Sequence, residues 1–323
     1  MAVGEEYPKD LLEFERWFRT EADCLEYLIK LRWPGGFICP CCGSKEAWLL
    51  RRGRYKCRSC RRETSVMAGT LFQDSRKPLG FWFRALWHVT NQKSGASALD
   101  LQRALGLGSY VTAWLWLHKM RRAMVRPGRD RLNGRVEVDE TYVGGEVRGW
   151  KGRSGVGKTL VAIAAQAQGG GLGRIRMQCV PNATKATLHA FVRQTIEPGS
   201  LVHTDGFDSY KGIDAFGYAH EVSVLKGRAP TAATELLPRV HLVASLLKRW
   251  LLGTHQGAVR SEHLDYYLDE FTFRFNRRTS KSRGLLFYRL IQQALNVGPI
   301  VGADIFGGKP PGKPQQVVVG GVI

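Results

Sequence analysis

Acidic residues are scarce in this chain: 28 Asp+Glu stand against 48 Lys+Arg in 323 residues, a formal net charge of +20 with a pI near 10.0. That deficit points to a polyanionic partner, of which nucleic acid is the commonest. A basic enzyme of another kind is the plainer alternative, but the charge is blocked rather than scattered. Residues 51–62 carry seven Lys/Arg and no acid, and residues 119–135 carry seven more against Asp130 alone. Long apolar runs are also missing; none approaches the roughly 18–20 residues a membrane span needs. The N-terminus, with Glu5, Glu6, Asp10, Glu13 and Glu15, lacks the basic-then-apolar layout of a signal peptide. The expectation is a soluble, intracellular protein. A hydrophobic share of 44% excludes wholesale disorder and gives room for two or three domains. No internal repeat is present.

The periodicity divides the chain. Residues 10–34 read as helix, with Thr20 and Asp23 spaced as a capping box that starts a second helix. A Cys- and Arg-rich stretch follows over 37–68. Three helical pieces, around Phe81–Thr90, Ala96–Leu105 and Ser109–Val125, suggest a helix-turn-helix arrangement. From residue 135 the period changes. Arg135–Val143 alternates, setting Val136, Val138 and Tyr142 on one face and Glu137, Asp139 and Thr141 on the other. Strands are expected at Thr159–Gln168, Arg174–Val180, Ser200–Asp205 and Tyr218–Val224, with a helix over Thr184–Ile196 and helices from Leu237 to Asn296. The order is mixed α/β. The Gly/Pro-rich tail, 307–323, reads as disordered.

Cysteine is thinly used, seven in all, yet four fall as Cys39-x-x-Cys42 and Cys57-x-x-Cys60 with fourteen residues between the pairs. Tetrahedral zinc takes four soft ligands from two such knuckles. Four unrelated thiols or a disulfide pair are the alternatives, disfavoured in a reducing compartment. Cys41 sits inside the first knuckle, and Cys24 and Cys179 read as small core residues. Four thiolates leave no open position, so the zinc is structural. The ribbon carries the densest basic run, and Arg51, Arg52, Arg54, Arg58, Arg61 and Arg62 are candidates for gripping DNA phosphates.

Gly152 to Thr159 fits the phosphate-loop pattern G-x4-G-K-T. That mechanism needs a strand before the loop and a helix after it. Residues 159–168 read as strand, so ATP is not expected and a basic hairpin connection is.

Phosphoryl chemistry in a basic protein needs carboxylates placed for divalent metal. Asp139 lies in the first α/β strand and Asp205 at the end of SLVHTD. Two aspartates on neighbouring strands can share metal ions about 4 Å apart. For Asp205, before Gly206, turn formation is the rival reading.

The stretches CPCCG and YKCRSC at 39–60, VEVDETYVGG at 136–145, HTDGFDSY at 203–210, and HLVASLLKRWLLGTHQG with YLDEFTFRFNRR at 241–278 resemble a bacterial insertion-sequence transposase. The branch is the ISXO-like one, with a zinc ribbon before an RNase H-like (retroviral integrase-like) DDE domain. The resemblance implies that Asp139 and Asp205 are two members of a Mg2+- or Mn2+-binding catalytic triad. The third is usually Glu or Asn, seven residues before a Lys; here that Lys is Lys248 and the residue is His241. Either His241 completes the triad, or the two aspartates hold metal alone or with Glu235. Lys248, Arg249, Arg277 and Arg278 would meet DNA phosphates, while Phe271, Phe273 and Phe275 read as core. The implied partners are the terminal inverted repeats and target DNA, met as a homodimer or higher oligomer in the bacterial cytoplasm at the nucleoid. The expected domains are a helical segment (1–36), the ribbon (37–68), a helical DNA-binding region (69–130), the catalytic domain (131–300) and the tail (301–323). A DNA-binding regulator with an inert α/β domain, a P-loop ATPase and an inactive transposase copy are the other readings.

Overall fold

A computed structural model describes residues 6–126, 128–144, 157–224 and 236–307. Glu235, residues 152–156 of the phosphate-loop pattern, residues 308–323 of the tail and the Arg52 side chain lie outside what it describes. The chain forms two compact units, residues 1–127 with 280–323, and residues 128–279. No helix among the described residues is long and apolar enough to cross a membrane.

In the first unit, α1 (Leu11–Trp17) and α2 (Glu21–Arg32) precede a three-stranded antiparallel sheet, β1 (Ala47–Leu49), β2 (Arg54–Cys57) and β3 (Glu63–Ser65). The expected capping box starts α2: Thr20 Oγ1 accepts from the Asp23 N–H at 3.2 Å, and Asp23 accepts from the Thr20 N–H at 2.7 Å. The helices α3 (Leu79–Asn91), α4 (Ala98–Leu105) and α5 (Tyr110–Ala123) follow. Gly106, left-handed, ends α4. Further along the chain lie α9 (Arg283–Asn296) and α10 (Gly302–Phe306). Phe14, Phe18, Phe83 and Phe287 form an aromatic core, and the Trp82 and Trp116 rings stack 3.9 Å apart.

One boundary differs. The α/β domain drawn to residue 300 stops at 279, because α9 packs on α3 and α5 of the first unit through its apolar face. Within the basic run at 119–135, Arg121 (1% exposed) and Arg122 (9%) are buried in the last turn of α5, whereas Arg126, beyond its end, is exposed.

The second unit is built on five strands: β4 (Arg135–Val143), β5 (Thr159–Gln168), β6 (Gly171–Val180), β7 (Leu201–Asp205) and β8 (Ala219–Ser223). Their order is β6-β5-β4-β7-β8, with β4, β5 and β6 antiparallel and β7 and β8 parallel to β4. This is the strand order of the RNase H fold. Gly169 and Gly170, both at positive φ, make the two-residue β5–β6 turn, so β6 begins at Gly171, three residues earlier than the alternation suggested. The crossover helix α6 (Lys185–Thr195) covers one face of the sheet over Val136, Val138, Ala162 and Val202. On the other face, α7 (Pro238–His255) and α8 (Leu264–Phe275) cover Val161, Ile163 and Ile175. Phe271, Phe273 and Phe275 are buried, as their spacing suggested.

Candidate metal centre and carboxylate site

The four cysteines meet as their spacing predicts. The Cys39–Cys60 and Cys42–Cys57 sulfurs are each 3.6 Å apart, and all four lie within 4.8 Å of one another. Four ligands about 2.3 Å from a central ion stand about 3.8 Å apart, whereas a disulfide needs about 2.05 Å. The donor set and spacing fit a metal. Each knuckle closes on a backbone turn, Gly43 N–H to the Cys39 carbonyl at 2.9 Å and Arg61 N–H to the Cys57 carbonyl at 3.1 Å. The equivalent residues Gly43 (φ 74°) and Arg61 (φ 61°) are both left-handed. Glycine adopts that conformation freely; arginine does so at a cost of about 1 kcal/mol or more. The Arg61 guanidinium lies 4.9 Å from the centroid of the Trp48 ring and that of Arg58 lies 5.4 Å from it. Arg51, Arg54, Arg58, Arg61 and Arg62 are all exposed, with Arg54 paired to Glu63. Cys41 is exposed, Cys24 buried and Cys179 half-buried.

The carboxylate site follows from strand register. Arg135 pairs with Leu201 and Glu137 with His203, so two residues further Asp139 stands beside Asp205. Asp205 is the last residue of β7, and Asp139 lies midway along β4. Burial, then the Glu140 charge and, further, that of Asp205 push the Asp139 carboxyl up to about 7. The same burial and Asp205 raise Glu140, whose Oε2 accepts a hydrogen bond from the Tyr210 hydroxyl at 2.7 Å. Carboxylates held against one another in this way favour a cation between them. Asp205 Oδ1 also accepts from the Phe207 N–H at 3.0 Å, so the turn-forming role and a place in the site coexist.

His241 comes to this site from α7. Its Nε2 lies 3.7 Å from Asp139 Oδ2, too long for a hydrogen bond, and this buried nitrogen has no hydrogen-bond partner. Burial lowers the imidazole pKa, against the pull of Glu137 and Asp205, which leaves the nitrogen lone pair available. Two ligands about 2.1 Å from one ion stand about 3.0–3.6 Å apart, so Asp139 and His241 fit a shared divalent cation. The set is open. Among the described residues only the four cysteines bring three or more potential ligand atoms within 4.8 Å.

Lys248, seven residues along α7, donates to Thr141 Oγ1 at 2.8 Å. Burial, then the nearby Lys158, lower its pKa, while Asp139 raises it. Lys158 is the lysine of the phosphate-loop pattern. The residues after it form β5 rather than a helix, as expected. Arg249 is exposed on α7. Arg277 and Arg278 lie at the end of α8 instead, their guanidiniums 4.1 and 4.2 Å from the Phe273 and Phe275 ring centroids. Arg278 also donates to the carbonyls of Gly173, Phe275 and Leu172. Those bonds tie α8 to β6, a structural duty that its place in a basic run does not suggest.

One residue that sequence reasoning passes over organises the site. Glu137 accepts from the Arg239 and Val240 backbone N–H groups, at 2.7 and 3.0 Å, and from Arg239 Nη1 at 2.7 Å. A carboxylate on the free N–H groups of a helix N-terminus is strongly favourable. It fixes the start of α7 over β4, and His241 is the residue after Val240. The only signal in the sequence is an acid inside a strand, two residues before Asp139.

The mixed sheet has the RNase H-like strand order, with Asp139 on β4 and Asp205 on the neighbouring β7. Residues 131–276 match the ISXO2-like transposase domain and residues 19–63 the transposase zinc-ribbon domain. The chain thus carries an ISXO2-like transposase domain behind a transposase zinc ribbon. It is 26% identical, over 80% of its own length and 91% of the relative's, to an uncharacterized protein in transposable element ISH50 of Halobacterium salinarum. It is 29% identical, over 36% of its length and 92% of the relative's, to an uncharacterized transposase-like protein of Haemophilus influenzae. Among solved structures, the catalytic core domain of BIV integrase is similar at 15% identity and a TM-score of 0.32, over 47% of this chain and 89% of that one. A simian T-cell lymphotropic virus intasome in complex with PP2A regulatory subunit B56 gamma is similar at 17% and 0.32, over 58% and 70%.

Proposed function

We propose that this transposase cuts DNA at the ends of its insertion sequence and joins the freed 3′ ends to target DNA at the Asp139–Asp205 site. The observation that carries this reading is the unpartnered His241 Nε2 facing Asp139 Oδ2 at 3.7 Å. Asp139 and Asp205 would be the oxygen ligands for Mg2+ or Mn2+, and His241 would be the third ligand, its nitrogen suiting manganese better than magnesium. Bound there, a divalent ion would supply Lewis acidity for phosphodiester attack. Lys248, steadied by Thr141, presents its ammonium to a phosphate of the transposon end. No side chain forms a covalent bond to DNA. Zn2+ is the ion for the four cysteines, and Arg51, Arg54, Arg58, Arg61 and Arg62 hold phosphates of the terminal inverted repeats. Arg249 extends the basic surface beside Lys248. Two or more copies bring the paired ends together in the cytoplasm, at the nucleoid.

The test is strand cleavage and strand transfer on DNA carrying the element's own end, with magnesium or manganese, for wild type, Asp139→Ala, Asp205→Ala and His241→Ala. Cleavage is expected from wild type and lost in both aspartate variants. A His241→Ala enzyme as active as wild type would remove His241 from the triad. End binding without any wild-type cleavage would mark a regulator or an inactive copy and end the catalytic reading.

A further inference from the structure

A cavity of about 520 Å³ opens in the α/β unit at the end of the sheet opposite the carboxylates. Arg131 precedes β4, Pro198 precedes β7 and Tyr218 precedes β8, while Ala190, Arg193 and Gln194 come from α6. Its volume falls in the range that holds a nucleotide-sized ligand. The walls are held by backbone bonds: Leu132 N–H to the Thr195 carbonyl at 2.8 Å, Glu197 N–H to the Leu132 carbonyl at 2.8 Å and Gly199 N–H to the Gly217 carbonyl at 2.7 Å. Tyr218 (4% exposed) forms part of the lining, its hydroxyl donating to the Ile196 carbonyl at 3.0 Å.

Arg131 and Arg193 have no carboxylate partner among the described residues, and both lie near enough to act on the Tyr218 phenol. Like charges sharing one concavity repel, and an anion between them recovers that energy. The Arg193 guanidinium lies 4.8 Å from the Phe216 ring centroid, and that ring is 40% exposed. An aromatic face beside a cation is the arrangement on which proteins stack unpaired bases.

We propose that Arg131, Arg193 and Phe216 form a nucleotide pocket for a DNA strand away from the scissile bond, the guanidiniums taking a phosphate and the Phe216 ring stacking its base. The pocket rests on the reading that this chain handles DNA as a transposase, and it gives that reading a second grip on unpaired or frayed DNA. Asp139 and Asp205 play no part in it.

The experiment uses the full chain without added magnesium or manganese and a fluorescent single-stranded oligonucleotide, titrated at several salt concentrations. The Arg131→Ala/Arg193→Ala double variant is expected to bind at least tenfold more weakly. Its slope of log affinity against log salt should flatten by about 0.7 for each phosphate left without its guanidinium. Phe216→Ala is expected to weaken binding about 5- to 150-fold, with Phe216→Tyr restoring it. Bromodeoxyuridine in the oligonucleotide should photo-crosslink to the segment that carries Phe216. Unchanged affinity and slope in the double variant would overturn the pocket, and so would an unaltered Phe216→Ala for its stacking role. Binding of free ATP or dAMP that the double variant loses, with oligonucleotide binding intact, would reassign it to a free nucleotide. Cleavage by wild type, lost in Asp139→Ala, decides the transposase reading separately.

Discussion

Glu137 and Arg239, 102 residues apart in the chain, form an ion pair in which Glu137 is 1% exposed and holds the N-terminus of α7 with the same carboxylate. Removing one member of a buried pair strands the other and costs about 3–5 kcal/mol. Glu137→Ala should therefore lower stability by about that amount in denaturant unfolding, and also weaken cleavage, because His241 loses its position over Asp139. Glu137→Gln keeps acceptors for the helix N–H groups and should lose less. Equal midpoints for wild type and Glu137→Ala would refute the anchoring role.

Asp139 makes stability fall as pH rises. Its carboxyl, near 7 when folded against an ordinary 3.8, keeps a proton that the unfolded chain releases between those values. The folded state thus binds more protons, and unfolding becomes easier from about pH 4 to pH 7. A shift of that size corresponds to about 4 kcal/mol as an upper bound. Asp139→Asn removes the penalty, so in buffer without magnesium or manganese it should melt higher than wild type, and by more at pH 8 than at pH 5. A gain that does not grow with pH would contradict the assignment.

The ribbon should hold one zinc per chain, released by thiol modification and absent from Cys57→Ser. Structural zinc contributes directly to folding, so its loss should unfold the ribbon. Metal analysis with near-ultraviolet dichroism, which reports Trp48 and Tyr55 on β1 and β2, reads both effects. Full retention of zinc by Cys57→Ser would exclude the four-cysteine centre.

Arg61 trades stability for its guanidinium. Because its φ of 61° suits glycine, Arg61→Gly should raise the stability of the ribbon by about 1 kcal/mol while weakening end-DNA binding. A variant that is more stable and binds as tightly would show that the strain serves no DNA contact.

Gly284 opens α9 directly against the Pro8 carbonyl, which a Cβ would strike. Gly298 has nothing within 4 Å. Gly284→Ala should cost about 3 kcal/mol or more through forced backbone movement, and Gly298→Ala should be close to neutral. Thermal unfolding of the pair separates the two, and matched melting temperatures would refute the steric account.

Short-range chemistry makes much of this protein legible in advance. Alternation in RVEVDETYV, the Thr20–Asp23 box and the Cys-x-x-Cys spacings each act over a few residues, so strand β4, helix α2 and the ribbon can be read directly. Likewise, the strand reading of residues 159–168 is enough to set aside the phosphate-loop pattern. Other features depend on which distant residue arrives opposite. Nothing near Glu137 in sequence names Arg239, and Glu140 gives no hint of Tyr210. Arg121 and Arg122 read as surface charge until α5 is packed, and α9 reads as part of the α/β domain until its apolar face finds α3. The elements and the cysteine knuckles are thus written in the chain, because local spacing dictates them, whereas the two aspartates are singled out by resemblance and are brought to neighbouring strands by register. That His241 faces Asp139, and that two arginines share a cavity, follows from packing alone. Helix placement and strand register bring together side chains whose separation along the chain carries no energy.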